Sequence, residues 1–132
     1  MVYLVSATQF IFDIPDIKLV SVQESLDILA PLETVGLDTE TTGLDPYTKE
    51  LKLVQLGCKD FQVVIDTTTV DIKRYKEYLE SDRLFLLWNA KFDLKWFYKY
   101  GIIIKKVYDG FVAEKLMWLG YPAGIHSMSL KS

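Results

Sequence analysis

The sequence has one cysteine, one histidine and no excess of positive charge among its 132 residues. Because Cys58 stands alone, an intrachain disulfide and a cysteine-rich zinc site are both excluded, and a reducing, cytoplasmic setting is expected. The formal net charge of -3 argues against a protein that holds nucleic acid mainly by a basic surface. It does not exclude an enzyme on nucleic acid, since bound metal ions cancel carboxylate charge locally.

Long hydrophobic runs, repeats and low-complexity tracts are also missing. The N-terminus is apolar, but it lacks the basic start and the small-residue cleavage site of a signal peptide and is too short to span a membrane. We interpret it as a strand and expect no membrane association. The hydrophobic content of 50% is ample for the core of one small domain.

Hydrophobic patterning predicts a mixed α/β sheet with flanking helices. Strands at Tyr3–Phe12 and Ile17–Val20 are predicted to form an N-terminal hairpin, and the capping box of Ser21 and Glu24 begins a helix that ends before Pro31. Three further strands are predicted to form an antiparallel meander: Val35–Glu40, Leu51–Gly57 and Phe61–Ile65.

The remainder of the chain is predicted to alternate helix and strand. A helical pattern starts at Asp71, and the apolar run Leu84–Trp88 is typical of a parallel strand buried on both faces. A helix at Ala90–Tyr100 closed by Gly101, a short strand at Ile102–Lys105 and a helix from Asp109 to about Leu119 follow.

The segment Thr34–Pro46 contains a pair of carboxylates on one strand face. Because side chains alternate along a strand, Asp38 and Glu40 point the same way, roughly 7 Å apart. Two neighbouring carboxylates repel unless a positive charge lies between them, and a hard divalent cation is the usual one. The segment is therefore predicted to form half of a metal site.

Asp93 is a third carboxylate in an unusual position. Around the helix after Trp88 it lies within the apolar arc of Phe92 and Trp96. An interior carboxylate costs several kcal/mol unless it is protonated, paired or bound to metal. The alternative is that it bonds neighbouring backbone, but its place beyond the carboxyl end of a buried strand favours a functional role.

Other conspicuous side chains have plainer interpretations. Asp109 is expected to cap the helix that follows it, and Asp66 to belong to a turn. The lysines of the third helix are expected to form a solvated face rather than a track for a nucleic-acid backbone, and the tryptophans to lie in the core rather than to stack on bases: Lys91, Lys95, Lys99, Trp88, Trp96 and Trp118.

Two segments together resemble a known family. L-D-T-E-T-T-G-L-D-P at residues 37–46 and W-N-A-K-F-D-L-K-W-F at residues 88–97 are similar to the first and second motifs of the DEDD-type 3′-5′ exonucleases, which have a ribonuclease H-like fold. Within this family, the sequence most resembles the proofreading domain of family A DNA polymerases. The resemblance extends over residues 17–132.

The resemblance implies a two-metal site that hydrolyses the terminal phosphodiester of single-stranded DNA 3′ ends. Asp38, Glu40 and Asp93 match the catalytic residues and ligands of two Mg²⁺ or Mn²⁺ ions. Substrate-binding roles are implied for residues that flank them: Thr39, Thr41, Leu44 and Asn89, the last also as an orienting residue.

The family's third motif, Tyr-x-x-x-Asp or His-x-x-x-Asp, has no counterpart at the expected place. Tyr78 and Asp82 have the spacing but precede the second motif, where Tyr78 is better explained as core, and His126 has Leu130 at the fourth position. We therefore expect residues 1–132 to be the N-terminal part of a single exonuclease domain and to be weakly active or inactive alone. A polymerase domain, or the segment with the third motif, is an expected partner.

Two alternatives stay open. An RNase D-like exoribonuclease is barely separated by sequence, because no residue plainly recognises a 2′-hydroxyl, although T-T-G-L-D-P favours the polymerase type. A non-catalytic module of the same fold is the other alternative, and the intact carboxylates argue against it.

Overall fold

A computed structural model describes residues 1–8, 16–88 and 90–110. In this part of the chain seven strands form one sheet, with three helices packed beside it. The elements are β1 (Val2–Val5), β2 (Ile17–Leu19), α1 (Val22–Leu29), β3 (Thr34–Thr41), β4 (Leu51–Gly57), β5 (Gln62–Asp66), a 3-10 turn (Ile72–Tyr75) continued by α2 (Lys76–Leu79), β6 (Leu84–Leu87), α3 (Ala90–Lys99) and β7 (Val107–Asp109).

The sheet has the order β2-β1-β5-β4-β3-β6-β7. Antiparallel pairing of β3 with β4 and of β4 with β5 confirms the predicted meander. The strands β6 and β7 extend it in parallel beside β3. This is the mixed α/β sheet that the sequence predicts, and β3 lies inside it between β4 and β6.

The predicted N-terminal hairpin is wrong. The strand β1 is shorter than expected and pairs with β2 in parallel, Val2 lying opposite Ile17. It also pairs in parallel with β5. Strand composition reports that a segment is extended but not the direction in which it pairs.

The strand predicted at Ile102–Lys105 is also displaced. Ile102 and Ile104 are buried while Ile103 is 55% exposed, so the alternation is real. However, the amide of Ile103 donates to the Glu80 carboxylate at 2.9 Å instead of to a strand, and β7 forms further along. The helix expected from Asp109 falls on residues 111–119, which lie outside the described residues.

The capping box at the start of α1 and the glycine at the end of α3 are both as predicted. Ser21 accepts from the amide of Glu24 while Glu24 accepts from the amide of Ser21, each at 3.0 Å. Just after α3, Gly101 has φ of 75°, a left-handed conformation that glycine adopts without strain. The amide of Ile102 then donates to the carbonyl of Phe97, which satisfies a carbonyl at the helix end.

Replacing Ser21 with alanine is expected to destabilise the protein by about 1 kcal/mol, because the amide of Glu24 loses its capping acceptor. Urea unfolding followed by circular dichroism measures this difference. Ser21→Thr, which keeps a hydroxyl at the cap, serves as the matched control and is expected to stay near wild type. Equal stability of all three proteins would contradict a capping role.

Burial on the last strands is one-sided. Phe85 and Leu87 are 0% and 4% exposed, but Leu86 is 39% exposed, so the prediction that β6 is buried on both faces is wrong. Trp88 is 58% exposed and Trp96 fully buried, so the core assignment holds for Trp96 and fails for Trp88. Trp118 lies outside the described residues. A wholly apolar run does not by itself report which neighbours cover it.

The Tyr78 side chain belongs to the core, as predicted. Its ring packs edge-on against Phe85, and its hydroxyl donates to the carbonyl of Leu29 at 2.9 Å. Burial raises the pKa of Tyr78 to about 12. The partner in the apparent Tyr-x-x-x-Asp spacing, Asp82, instead pairs with Lys106 at the surface, so the two residues share no site.

Candidate active site

The ends of three adjacent parallel strands determine where the site lies. Gly36 lies opposite Leu86, and Leu87 opposite Asp109. Asp38, two residues beyond Gly36, is therefore level with the end of β6, from which the chain enters α3. Open α/β sheets place ligands at this edge, beyond the carboxyl ends of their strands.

Side-chain alternation along β3 is as predicted. Val35, Leu37 and Thr39 are buried, whereas Asp38 and Glu40 are exposed. One oxygen of Asp38 accepts from the amide of Thr39 at 2.9 Å. The two carboxylates thus share the exposed face, where their oxygens are open to solvent and to ions.

The strand β3 is irregular just after Glu40. Glu40 lies opposite Leu53, but Thr41 lies opposite Leu51, so the register with β4 shifts between them. Such irregularities bend a strand and re-aim its side chains, and they are common beside active sites. The hydroxyl of Thr41 donates to the carbonyl of Gly43 at 2.7 Å, and Leu44 is 82% exposed in the loop that follows.

Asp93 lies in the interior, as predicted from the helical arc. It is 3% exposed and occupies the first turn of α3 between buried neighbours. Its Oδ1 accepts a hydrogen bond from the hydroxyl of Thr39. The sequence did not predict this contact, because it groups Thr39 with the substrate-binding residues, while the structure turns its side chain to Asp93.

Burial raises the pKa of Asp93 to about 6. The hydrogen bond from Thr39 opposes this shift, and the charges of Asp38, Asp109 and Glu40 add to it. The site is therefore a concentration of negative charge in which the Asp93 carboxyl holds its proton to a higher pH than an ordinary aspartate does.

Asp109 lies at the same edge of the sheet. It ends β7 and is 5% exposed, and the helix that it is predicted to cap lies outside the described residues. Its Oδ2 accepts from the amide of Ala90, the first residue of α3, at 2.8 Å. This contact follows from the parallel pairing of β6 with β7, which brings Asp109 beside the start of α3.

The other residues singled out in the sequence are not part of this group of carboxylates. Lys91, Lys95 and Lys99 are exposed, as expected, and Lys99 also donates to the carbonyl of Lys49 at 3.1 Å. Asp66 ends β5 and accepts from Ser6 at 2.8 Å. Asn89 lies outside the described residues.

The chemistry of these residues suits a hard divalent cation. Within residues 1–8, 16–88 and 90–110, no three His, Cys, Asp or Glu side chains are grouped closely enough to hold a metal ion. The available donors at this edge are carboxylate oxygens, which Mg²⁺ and Mn²⁺ prefer.

A sequence model of the family described as 3′-5′ exonuclease matches residues 18–131. The chain belongs to the 3′-5′ exonuclease family. This confirms the family inferred from the two motifs, over almost the same residues.

A curated relative of this exonuclease chain is DNA polymerase I of Aquifex aeolicus (strain VF5), 38% identical over 86 residues. The match covers 64% of the chain and 14% of that polymerase, so the chain spans about a seventh of this relative.

Solved structures show the fold. Escherichia coli RNase D, described as an exoribonuclease involved in structured RNA processing, aligns with a TM-score of 0.61 at 21% identity over 76% of the chain and 27% of its own. Brucella melitensis NrnC with bound Mg²⁺ aligns with a TM-score of 0.62 at 19% identity, over 98% of this chain and 63% of the NrnC chain. The ribonuclease H-like α/β fold is thereby confirmed. No helix in the described ranges is long and apolar enough to cross a membrane.

Proposed function

We propose that the chain contributes the catalytic carboxylates of a 3′-5′ exonuclease that removes nucleotides from single-stranded DNA 3′ ends. The observation that carries the proposal is the meeting of both motifs at one sheet edge. Asp38 and Glu40 are exposed there at the end of β3, and Asp93 is buried close enough for their charges to raise its pKa.

Asp38, Glu40 and Asp93 would hold the divalent cations. When bound, such ions activate a water and stabilise the departing 3′ oxygen by Lewis-acid polarisation. Asp38 and Glu40 would hold the ions from the exposed face of β3. Asp93 would serve as a ligand in its ionised form, because a carboxylate must be deprotonated to bind a metal ion.

Substrate contacts are proposed for residues around this edge. Leu44 is exposed beyond Glu40 and offers an apolar surface to the terminal base, while Thr41 and Asn89 are proposed to contact the terminal nucleotide. Thr39, whose hydroxyl donates to Asp93, is proposed to contribute through that carboxyl. Similarity to a DNA polymerase I supports DNA as the substrate and proofreading as the role.

An RNase D-like activity is the second candidate, supported by the fold shared with E. coli RNase D. Its sequence identity of 21% is lower than the 38% of the polymerase relative, which favours DNA. RNA and DNA oligonucleotides of one sequence separate the two, because only the preferred sugar supports efficient hydrolysis.

The test combines binding and hydrolysis. Calorimetry with Mn²⁺ on the chain is expected to show binding that Asp38→Ala removes. With Mn²⁺, a 5′-labelled linear DNA strand is expected to shorten slowly from its 3′ end, whereas a circular strand of the same sequence stays intact. Asp38→Ala is expected to lower the rate by orders of magnitude.

Two results would contradict the proposal. If Mn²⁺ binding is absent, or is the same in Asp38→Ala, the carboxylates are not metal ligands and the non-catalytic module is favoured. Cleavage of the circular strand would indicate endonuclease activity instead.

A further inference from the structure

Asp109 makes a contact that its sequence position does not suggest. It ends β7, is 5% exposed, and accepts a hydrogen bond at 2.8 Å from the amide of Ala90, nineteen residues earlier in the chain. A buried carboxylate is costly unless it is well bonded, so an uncharged residue would fill this position at lower cost if packing were its only purpose.

The parallel pairing of β6 with β7 explains the contact. Asp109 lies opposite Leu87, the last residue of β6, and the chain then enters α3 at Ala90. The first amides of a helix have no partner inside the helix, and the positive end of the helix dipole attracts an anion. Asp109 thus supplies from a neighbouring strand what a local capping side chain usually supplies.

The start of α3 determines where Asp93 lies. Asp93 is the fourth residue of α3, about 4.5 Å along the helix axis from Ala90. On its other side it is bonded to Thr39 of β3. A shift of the helix start moves the Asp93 carboxyl relative to β3 directly, because only one turn of rigid helix separates them.

We propose that Asp109 is a positioning residue: it fixes the start of α3 through Ala90 and thereby holds Asp93 beside Asp38 and Glu40. Its role in metal binding rests on the proposed function, whereas its effect on the position of Asp93 does not. The influence of the Asp109 charge on the pKa of Asp93 supports their proximity.

The first experiment uses the metal-free protein. Asp109→Ala is expected to speed hydrogen exchange at the Ala90 amide and to shift the ¹³C signal of the Asp93 carboxyl. Asp109→Asn, which keeps an acceptor, is expected to restore slow exchange. Should Asp109→Ala fail to fold, Asp109→Leu fills the space without an acceptor and is measured in its place.

Val107→Ala is the matched control for general destabilisation. Val107 is fully buried on the same strand, so its truncation loosens β7 without removing the bond to Ala90. The Asp93 signal is expected to stay in place in this variant. If it moves as much as in Asp109→Ala, or if it moves in neither, the positioning role is overturned.

The second experiment measures Mn²⁺ affinity by calorimetry. Asp109→Ala is expected to weaken binding by about tenfold or more, as loss of an orienting partner does at other metal sites, while Asp109→Asn and Val107→Ala stay near wild type. Unchanged affinity in Asp109→Ala overturns the inference. Absence of binding in wild type counts against the proposed function instead, and the metal-free measurements then decide the positioning role.

Discussion

Replacing Asp93 with asparagine is expected to stabilise the metal-free protein by about 3 kcal/mol at neutral pH and above. Burial, together with the charges of Asp38, Asp109 and Glu40, raises the pKa of Asp93 from 3.8 to about 6. Ionising this carboxyl in the folded state is therefore costly. Asparagine has no charge to desolvate, and its Oδ1 still accepts from the Thr39 hydroxyl.

The sign of the pH dependence follows from proton linkage. Between the unfolded pKa of 3.8 and the folded value of about 6, the folded chain binds more protons through Asp93 than the unfolded chain does. The contribution of this group to stability therefore falls as pH rises through that window. Above about pH 6 the full cost is present, and in Asp93→Asn it is absent.

The measurement is thermal unfolding in EDTA from about pH 4 to pH 8. The difference between Asp93→Asn and wild type isolates the effect, because carboxyls with lowered pKa, such as Asp66, are common to both proteins. The melting temperature of the variant is expected to exceed that of wild type by about 10 °C at pH 8, with convergence near pH 4.

Asp82→Asn is a suitable control, because Asp82 is exposed and its pKa is lowered by Lys106. It is expected to change stability little and in the opposite direction. A melting difference for Asp93→Asn that does not vary with pH would contradict a raised pKa. If the expectation holds, Asp93 is a residue whose charge lowers stability, as functional sites often do.

Replacing Gly57 with alanine is expected to destabilise the protein by about 3 kcal/mol, mainly through backbone overlap. A Cβ at Gly57 would overlap the carbonyl oxygen of Phe61 and lie 2.9 Å from the Cα of Gln62. Both belong to the return from β4 to β5, where the amide of Cys58 donates to the same Phe61 carbonyl at 3.0 Å. Relief requires the turn to move, since backbone atoms have no alternative rotamer.

Gly36→Ala is the matched control, because Gly36 lies directly opposite Gly57 in the β3–β4 pair. A Cβ there meets its nearest atom, the Gly57 carbonyl oxygen, at 3.4 Å. Urea unfolding is expected to show a small change for Gly36→Ala and a large one for Gly57→Ala. Equal losses would indicate that the cost comes from the general flexibility of glycine instead of the turn.

Most elements with a strong local signal were predictable. The capping box of α1, the meander and the glycine that ends α3 depend on residues close in sequence, and all three are confirmed. The exposed pair on β3 and the buried Asp93 follow from the periods of strand and helix alone. The family was likewise accessible from two short motifs.

The pairing of the strands and the burial of individual side chains were less predictable. The direction of β1 against β2, the shift of the last strand to Val107–Asp109 and the exposure of Trp88 depend on which segments become neighbours. Strand propensity reports extended conformation and alternation, but two registers or directions often satisfy the same pattern.

Local sequence patterns were enough to identify the three carboxylates, the faces on which they lie and the chemistry they suit, because alternation and helical period act over a few residues. The hydrogen bonds of Thr39 to Asp93 and of Ala90, the first residue of α3, to Asp109 depend instead on how the chain folds in three dimensions. Both contacts join segments brought together by the order of parallel strands, and no local pattern records that order.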